Sequence, residues 1–418
     1  MRTTVVIIGA GHSGLAMSRQ LADRGIDHVV LERGEVANSW RRERWDSLRL
    51  LTPNWLTRLP GQGYDGDDPD GFMTVPELVG FLDDYAARTA PPLRLGTTVT
   101  RVAPTEGGFA VETDQGAWQA RAVVLASGPS NAPSLPAVAE GLPAGIASVT
   151  THDYRSPDQL PDGGVLVVGA SASGVQLADE LARSGRRVVV STGEHVRMPR
   201  SYRGRDVFWW MDAAGVLDER WDEVDIIRAR HTPSPQLIGT PERRDIDLAA
   251  VQAAGVEVVG RLGMLRDGVA LFSGGLANAV KLADLKLTRL LDRFDAWAEE
   301  TGQAGLDGPR RPEPTPVDES RLQLDLAREG ISSVLWATGY QPDHSWVDAP
   351  VFGYRGRLDH EGGVVRGVEG MVVLGSSLLR RRRSTYVSGA EADTRELAEH
   401  LEAHLAGQAA PVGRGLLD

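Results

Sequence analysis

The N-terminal stretch constrains the fold of this chain more than any other part of it. An apolar run, Val5-Val6-Ile7-Ile8, passes directly into the turn Gly9-Ala10-Gly11-His12-Ser13-Gly14. In such a pattern the first glycine permits a tight turn, the second lets the backbone approach a pyrophosphate, and the third lets the next helix pack closely on the strand. The N-terminus of that helix then faces phosphate groups. The stretch therefore predicts a strand, a turn and a helix that together bind a dinucleotide.

A second strand follows at the spacing that such a site needs. Val29-Val30-Leu31 restarts an apolar run that ends in Glu32, 18 residues after Gly14 (32 − 14). A carboxylate at about this distance meets the ribose of a bound adenine dinucleotide. Residues 40–54 come next and are too rich in aromatic and charged side chains for a simple linker. They are predicted to pack beside the nucleotide, and a surface turn with buried tryptophans is the alternative.

The same device recurs in the middle of the chain. Residues 165–168 form an apolar run before Gly169-Ala170-Ser171-Ala172-Ser173-Gly174, in which Ser171 takes the place of the middle glycine. The next strand, residues 188–190, ends in Ser191 instead of an acid. Four arginines follow it: Arg197, Arg200, Arg203 and Arg205. This setting favours the extra 2′-phosphate of NADP over the bare ribose of NAD, and a solvated basic loop is the alternative.

Composition narrows the possible functions. The length of 418 residues predicts two or three domains, and the net charge of −12 argues against binding to nucleic acid or to an anionic membrane surface. The apolar runs are too short to span a membrane and no signal peptide precedes the first strand, so a cytoplasmic location is expected. The chain has no cysteine, which excludes disulfides, thiolate metal sites and a redox-active dithiol, and no metal site is predicted.

Apolar runs and turn residues predict the remaining elements. Strand patterns at 93–102, 109–113 and 117–119 indicate a small meander, and a buried strand from residue 123 ends in the tight turn Ser127-Gly128. Strands at 334–340 and 372–375 are both expected to return to the first sheet. The last helix is predicted at 388–405 and a mobile tail at 406–418, while the arginine run at 380–383 is interpreted as a solvated turn.

Motifs spread over nearly the whole chain resemble those of the class B flavoprotein monooxygenases, in particular the small bacterial, flavin-containing monooxygenase-like members. Besides the two glycine turns, they are Trp45-Asp46-Ser47-Leu48-Arg49-Leu50, Asp153-Tyr154-Arg155-Ser156-Pro157, Tyr202-Arg203-Gly204-Arg205-Asp206, Arg244-Asp245-Ile246-Asp247-Leu248 and Trp336-Ala337-Thr338-Gly339-Tyr340-Gln341-Pro342-Asp343. The resemblance implies an α/β fold with two Rossmann-like dinucleotide-binding domains, of which the NADPH domain is inserted in the FAD domain. The predicted domain ranges are 1–160 and 321–418 for FAD and 161–320 for NADPH.

The resemblance also implies the reaction. NADPH delivers hydride to FAD, the reduced flavin captures O₂, and the resulting C4a-hydroperoxide transfers one oxygen atom to a small N-, S- or carbonyl-containing metabolite. Two alternatives stay open, a flavin-dependent NAD(P)H reductase or oxidase and a non-catalytic, nucleotide-sensing flavoprotein. The expected partners are a small-molecule substrate and O₂, with neither nucleic acid nor membrane, and a homodimer is one of the oligomeric states left open.

The resemblance also extends to single residues of the site. Flavin-containing monooxygenases place an asparagine after the Ser-Leu segment, where Leu51 is nearest here, so Thr52 and Asn54 are the candidates for a catalytic, oxygen-handling role. Gly389, at the start of the last helix, would stabilise negative charge on the reduced flavin. The predicted cofactor-binding residues are Gly9, Gly11, His12, Ser13, Gly14, Glu32, Arg33, Trp40, Trp45, Leu48, Val99, Ser127, Gly128, Gly169, Ser171, Ser173, Gly174, Ser191, Arg197, Arg200, Thr338, Gly339 and Gly389.

Overall fold

The protein has an α/β fold built on two sheets of mainly parallel strands, seen in a computed structural model that describes residues 1–303, 306–317 and 320–407. The helices are α1 (His12–Asp23), α2 (Asn38–Arg42), α3 (Val75–Thr89), α4 (Ala172–Arg183), α5 (Val207–Ala213), α6 (Ile226–Arg230), α7 (Leu248–Ala253), α8 (Leu276–Glu300) and α9 (Gly389–Leu405). The strands are β1 (Val5–Ile8), β2 (His28–Leu31), β3 (Arg58–Leu59), β4 (Gln62–Gly63), β5 (Leu93–Arg94), β6 (Val99–Thr105), β7 (Gly108–Thr113), β8 (Gly116–Ala120), β9 (Ala122–Leu125), β10 (Ala132–Pro133), β11 (Ala147–Thr150), β12 (Gly164–Val168), β13 (Val188–Thr192), β14 (Val196–Arg197), β15 (Ser201–Tyr202), β16 (Arg205–Asp206), β17 (Pro235–Gln236), β18 (Glu257–Gly260), β19 (Leu262–Arg266), β20 (Val269–Phe272), β21 (Gln323–Asp325), β22 (Ile331–Trp336), β23 (Tyr340–Gln341), β24 (His360–Glu361), β25 (Val364–Val365) and β26 (Met371–Val373).

The first sheet has the predicted N-terminal strand at its centre. Its order is β24-β25-β26-β9-β1-β2-β5, with parallel pairing from β26 to β5 and an antiparallel edge formed by β24 and β25. Val6 pairs with Val29 on one side and with Val123 on the other, and all four residues of β1 are buried. Such an unbroken apolar run is typical of a parallel strand that is covered on both faces. The return of the chain through β26 confirms the strand predicted at 372–375.

The second sheet is wholly parallel and has the order β11-β22-β12-β13-β18. The strand predicted at 334–340 is β22, and it pairs with β11 and β12 here instead of returning to the first sheet, so that prediction is wrong. Residues 147–150, which the predicted ranges assign to the first domain, also belong to this sheet as β11. The second sheet therefore begins before the predicted limit at 160/161 and ends after the predicted limit at 320/321. Residues 408–418 of the predicted tail lie outside the described residues.

The predicted meander is present, with one correction. Strands β6, β7 and β8 form an antiparallel sheet, whereas residues 93–94 pair with β2 and extend the first sheet. The long helix α8 packs one face, including Leu287, Leu291 and Phe294, against Trp210 and the rest of a separate apolar core. Within the described part of the chain, every helix is either too short or too polar to span a bilayer.

The arginine run at 380–383 is not a solvated turn. Arg380 and Arg381 pair with Glu396 on α9, whereas Arg382 pairs with Glu219 and Arg383 with Asp212 and Asp218. The three acids at 212–219 lie in the chain between β13 and β18 of the second sheet, and α9 packs against α1, which follows β1 of the first. The run therefore ties the C-terminal helix to the region around α5, because arginines that leave the solvent require carboxylate partners.

Candidate functional site

Two glycines with left-handed backbones begin the site, one in each half of the molecule. Gly9 has φ +109°, and a Cβ there would lie 2.4 Å from the carbonyl oxygen of Ala126. Gly169 has φ +108°, and its Cβ would lie 2.3 Å from the carbonyl oxygen of Ala337. In both places the strand that carries the turn passes against the end of its neighbour, so only glycine fits. The two halves thus repeat one another in atomic detail.

The last glycine of each turn packs the helix onto the strand. A Cβ on Gly14 would lie 1.9 Å from the carbonyl oxygen of Gly9, and one on Gly174 would lie 1.9 Å from that of Gly169. Both glycines therefore serve the fold in the way that was predicted for them. Neither lies on the wall of the cavity described below.

The middle position of each turn is where the halves differ. Gly11 and Ser171 cap α1 and α4 with the same extended backbone, φ −78° and ψ −178° against φ −79° and ψ −171°. Apart from its own chain neighbours, no atom of the described residues lies within 4 Å of a Cβ built on Gly11. The protein itself therefore does not require a glycine at this position, and the open space beside it fits a ligand that approaches the backbone closely. At Ser171 the side chain projects from the corresponding position.

Both turns open into one large cavity between the sheets. Its volume is about 1340 Å³, above the range of about 300–1,000 Å³ that single small-molecule pockets occupy. It lies at the carboxyl ends of the parallel strands, where open α/β sheets bind their ligands. The predicted residues on its wall are Gly9, Gly11, His12, Ser13, Glu32, Arg33, Trp40, Val99, Ser127, Gly128, Gly169, Ser171, Ser173, Ser191, Thr338 and Gly339.

Glu32 is held rigidly at the end of β2. Its Oε2 accepts a hydrogen bond from the amide of Ala10 at 2.8 Å, and its Oε1 accepts one from the amide of Gly34 at 3.0 Å. These bonds hold the carboxylate against the first turn, on the cavity wall. Each carboxylate oxygen has a further lone pair that can accept from a ligand hydroxyl, such as those of a ribose.

Two polar atoms on the wall near the first turn lack partners. The ring Nε2 of His12 and the Oγ of Ser127 are buried without a hydrogen bond to any residue that the structure describes. Burial lowers the pKa of His12 to about 4, so its imidazole is neutral at pH 7. Unsatisfied buried polar groups are costly, and they are common where a ligand completes the site. A polar ligand beside the first turn fits both of them.

Several arginines on the cavity wall lack an acid partner within the described part of the chain. Among the described residues, Arg44, Arg230, Arg261 and Arg357 line the cavity without a carboxylate at ion-pair distance, although Arg44 lies over the ring of Trp40 at 5.1 Å. Arg33, by contrast, pairs with Glu43 at 2.5 Å. In a chain with a net charge of −12, unpaired guanidinium groups around one cavity fit ligands that carry phosphates.

The predicted roles of Arg197 and Arg200 are wrong. Arg197 is buried and pairs with Asp247 and Asp284, both at 2.8 Å. Arg200 is only 1% exposed, pairs with Asp206 at 2.7 Å and donates to the carbonyl of Leu51. Neither reaches the cavity wall, since both are used to join distant segments. The acid partners of Arg197 are remote in the sequence, and that of Arg200 lies six residues on in β16, so the run of arginines resembles a phosphate site without being one.

Arg261, instead of Arg197 or Arg200, lies on the cavity wall at the end of β13. It lines the cavity beside Gly193, where a Cβ would lie 3.7 Å from its Cδ, just beyond the end of β13. Ser191 also lines the cavity, but its Oγ is bonded to the carbonyl of Gly260 and the amide of Leu262 and thus holds β13 against the next strand. Arg261 follows β18, the sheet neighbour of β13, so only knowledge of the strand order could have located it.

Several other predicted residues lie away from the cavity. Trp45 and Leu48 pack in the core of the second sheet, which corrects their assignment to a cofactor. Thr52 and Asn54 are buried off the wall, and Asn54 donates to the carbonyl of Asp68 at 2.9 Å, so the oxygen-handling role proposed for them has no support. Gly389 is also off the wall because it packs against Arg383, where a Cβ would lie 2.0 Å from the carbonyl oxygen. Near that helix, the wall is formed instead by Gly375, Ser377 and Thr385.

The N-terminal half of the chain matches a known family of oxidoreductases. The family model described as pyridine nucleotide-disulphide oxidoreductase matches residues 6–205. The chain is 29% identical to an uncharacterized oxidoreductase, CzcO-like, of Geobacillus kaustophilus, over 96% of this chain and 98% of that protein. It is 34% identical to the indole-3-pyruvate monooxygenase YUCCA1 of Oryza sativa subsp. japonica, over 49% of this chain and 51% of that protein.

Solved structures share the fold. A flavin-containing monooxygenase from Stenotrophomonas maltophilia has a TM-score of 0.67 at 18% identity, over 96% of this chain and 99% of that chain. The bacillithiol disulfide reductase Bdr from Bacillus cereus has a TM-score of 0.62 at 17% identity, over 97% of this chain and 100% of that chain. At such low identities these similarities establish the architecture alone.

Proposed function

This chain is an oxidoreductase similar to the flavin-containing monooxygenases, and on that premise we propose that it is an FAD-dependent, NADPH-consuming monooxygenase. It would transfer one oxygen atom from O₂ to a small metabolite that contains nitrogen, sulfur or a carbonyl group. The proposal rests above all on one observation, the two near-identical glycine turns that open into a single cavity. Two dinucleotides bound at these turns could meet within it.

In this proposal the two halves are Rossmann-like domains with different cofactors. The first turn would hold the FAD pyrophosphate, with Gly11 allowing close approach and Glu32 accepting from the ribose. The second turn would hold NADPH, and the guanidinium of Arg261 would pair with the 2′-phosphate. When bound, FAD would supply the redox chemistry, accepting hydride from NADPH and reacting with O₂.

The protein's own contribution would be binding, orientation and exclusion of water. The backbones of Ser127-Gly128 and Thr338-Gly339 follow the strand ends that pack against Gly9 and Gly169, so rigid main chain forms the wall between the two turns. Because His12 stays neutral at pH 7, it can donate one ring N–H and accept at the other nitrogen without adding a charge. A dry, rigid wall protects reactive oxygen species from proton leakage.

Two alternative functions differ from this one in measurable ways. A flavin-dependent NAD(P)H reductase or oxidase would have the same two sites, but the absence of cysteine excludes one that passes electrons through a protein dithiol. A nucleotide-sensing flavoprotein without catalysis is favoured by Ser171, whose side chain occupies the position where close pyrophosphate approach usually requires glycine.

The visible spectrum of the purified protein would separate the three functions. NADPH added without oxygen should bleach the flavin bands promptly, and NADH should do so more slowly. When air is then admitted with candidate amines, sulfides and ketones, one of them should be oxygenated in proportion to the NADPH consumed. Bleaching followed only by stoichiometric H₂O₂ with every candidate would indicate the reductase or oxidase instead. A flavin that NADPH fails to bleach would indicate the sensing protein.

A further inference from the structure

Arg230 is a cavity-lining arginine without a counter-ion. It ends the short helix α6 and is half-buried, and its Nε is buried without a hydrogen-bond partner among the described residues. No described carboxylate lies at ion-pair distance from it. Burial lowers the pKa of Arg230, and the nearby charge of Arg357 lowers it further, whereas Asp359 acts in the opposite direction from a distance.

Other positive or protonatable groups surround Arg230. Arg357 and His231 line the same part of the cavity, and Arg357 Nη1 donates a hydrogen bond to His231 Nε2 at 3.3 Å, while His231 Nδ1 donates to the carbonyl of Ile227 at 2.6 Å. Burial lowers the pKa of the neighbouring His360, and the charge of Arg230 lowers it further, as do those of His344 and Arg366. Two chain segments, one at the end of α6 and one before β24, thus bring two arginines together at the cavity, and no described carboxylate lies at ion-pair distance from either.

This arrangement contrasts with the treatment of arginine elsewhere in the chain. The least exposed arginines, Arg197, Arg200 and Arg383, each have carboxylate partners. An uncompensated cation that loses its hydration is unfavourable, so in a protein that pairs its fully buried arginines, a half-buried arginine left unpaired at a cavity indicates a ligand. A planar guanidinium that faces a cavity is suited to bind an oxyanion through two parallel hydrogen bonds.

We propose that Arg230, together with Arg357, which His231 holds in place, forms an oxyanion-binding subsite that takes a carboxylate or phosphate group of a ligand. Two sources share this chemistry, a phosphate of a bound dinucleotide and a carboxylate on the substrate. The proposal does not depend on oxygen transfer, since anion binding can be measured without turnover. It assigns Arg230 a binding role that the sequence motifs did not indicate.

Thermal unfolding of the purified protein in inorganic phosphate or acetate, with chloride used to hold the ionic strength constant, tests the subsite. The melting temperature of the wild type should rise with at least one of the two anions and saturate. Arg230→Gln should melt higher than wild type without the anion, because a desolvated, repelled charge is removed, and its half-saturating anion concentration should be at least tenfold higher. A merely structural arginine would show the opposite, a lower melting temperature and an unchanged anion response, and that result would overturn the proposal.

Arg366→Gln is the matched control. Arg366 faces the same histidine, His360, but pairs with Glu361 and does not line the cavity. Its loss should leave the anion response intact. Loss of the response in this variant as well would show that general charge, not the Arg230 subsite, attracts the anion. An absence of saturable anion stabilisation in the wild type would also refute the subsite.

The source of the oxyanion follows from the cofactor properties of Arg230→Gln. A lower flavin content, or a KM for NADPH raised tenfold or more, would assign the subsite to a dinucleotide phosphate. Unchanged flavin content and an unchanged KM for NADPH, together with a lost acetate response, would assign it to a substrate carboxylate. If the protein proved to bind no flavin and oxidise no NADPH, the proposed function would fail while the anion titration could still be read.

Discussion

Gly11 is the residue whose substitution separates the needs of the fold from those of the ligand. Its backbone is one that any residue adopts, and no protein atom lies near the position of a Cβ. Gly11→Ala should therefore leave the melting temperature of flavin-free protein within about 1 °C of wild type, since surface substitutions change stability little. Yet the added methyl group should obstruct the pyrophosphate, and the protein should purify with less than a tenth of the wild-type flavin absorbance.

Gly14→Ala serves as the contrasting control for this experiment. Its Cβ would meet the carbonyl oxygen of Gly9 at 1.9 Å, so this variant should lose stability whether or not flavin is present. A Gly11→Ala protein as yellow as wild type would show that the first turn does not contact the cofactor's phosphates.

His12 should make the free energy of unfolding depend on pH in the acid range. Its pKa is about 4 in the folded protein and about 6.5 in the unfolded chain, so the unfolded state binds more protons between these values. The free energy of unfolding should then fall as the pH falls from 6.5 to 4, by at most about 3 kcal/mol and by less where water enters the cavity. Urea titrations of flavin-free wild type and His12→Gln should show a smaller acid loss in the variant. Parallel loss in both proteins would contradict this origin of the acid sensitivity.

Single residues show which parts of the site could be predicted from the sequence and which could not. Gly9, Gly11, Gly169 and Glu32 lie on the cavity wall, and they could be selected from the sequence because the pattern that marks them is local in the chain. Gly14 and Gly174 belong to the same pattern but lie off the wall. Arg197 and Arg200 were misassigned, since their partners Asp247, Asp284 and Leu51 are brought to them only by tertiary packing. Arg230 carries no local pattern at all, and its significance appears only when the cavity and the missing counter-ion are seen together.

At the scale of elements, the end of β13 should determine the choice between NADPH and NADH. Arg261 lies there without a described acid partner, and a charge-assisted bond to a 2′-phosphate contributes about 1.5–3 kcal/mol. Arg261→Gln should raise the KM for NADPH by about tenfold to a hundredfold and leave that for NADH nearly unchanged. Steady-state kinetics with both cofactors measure this ratio. Arg266→Gln, which alters an exposed arginine on β19, should change neither value, and an equal effect of Arg261→Gln on both cofactors would contradict the assignment.

Glu219 joins elements that are far apart in the chain. Its carboxylate accepts hydrogen bonds from Arg293 on α8 and from Arg382, and these charge pairs lower its pKa despite the opposing effect of burial. Glu219→Gln should lower the free energy of unfolding by about 1–3 kcal/mol, between the values for exposed and for buried pairs. Glu112→Gln, which removes an exposed partner of Arg101, should cost less than about 1 kcal/mol in the same urea titrations. Equal losses would show that Glu219 is no more than a surface ion.

The elements themselves were largely predictable, but their partners were not. Strand β22 and strand β26 are both short apolar runs, and nothing within either run states which sheet it joins. The structure places β22 beside β12, where its end supplies the Ala337 carbonyl that packs on Gly169, in the same way that β9 leads to Ala126 beside Gly9. Each glycine turn thus requires a parallel neighbouring strand whose end packs against it. The linear order of the motifs does not reveal which strand that is.

At the scale of the whole molecule, the duplicated turns predict that each can be impaired without the other. The side chain of Ser171 makes no capping hydrogen bond to its helix, so replacing it should cost the fold little. Ser171→Val adds bulk to the second turn and should leave flavin content unchanged while slowing the bleaching of flavin by NADPH at least tenfold. Ser171→Gly removes the side chain and should speed bleaching at low NADPH, because the pyrophosphate can approach the backbone more closely.

The same variants test whether the two halves work together. If retained nicotinamide cofactor helps to keep the cavity dry, weaker binding in Ser171→Val should direct a larger share of the NADPH electrons to H₂O₂ instead of to oxygenated product. Product and peroxide measured per NADPH consumed give that share directly, and Ser171→Gly should keep it at or below the wild-type value. A Ser171→Val protein that purified with little flavin, but whose remaining flavin was bleached by NADPH at the wild-type rate, would reverse the assignment of the two turns. Gly11→Ala should then give the slow bleaching that is expected here of Ser171→Val.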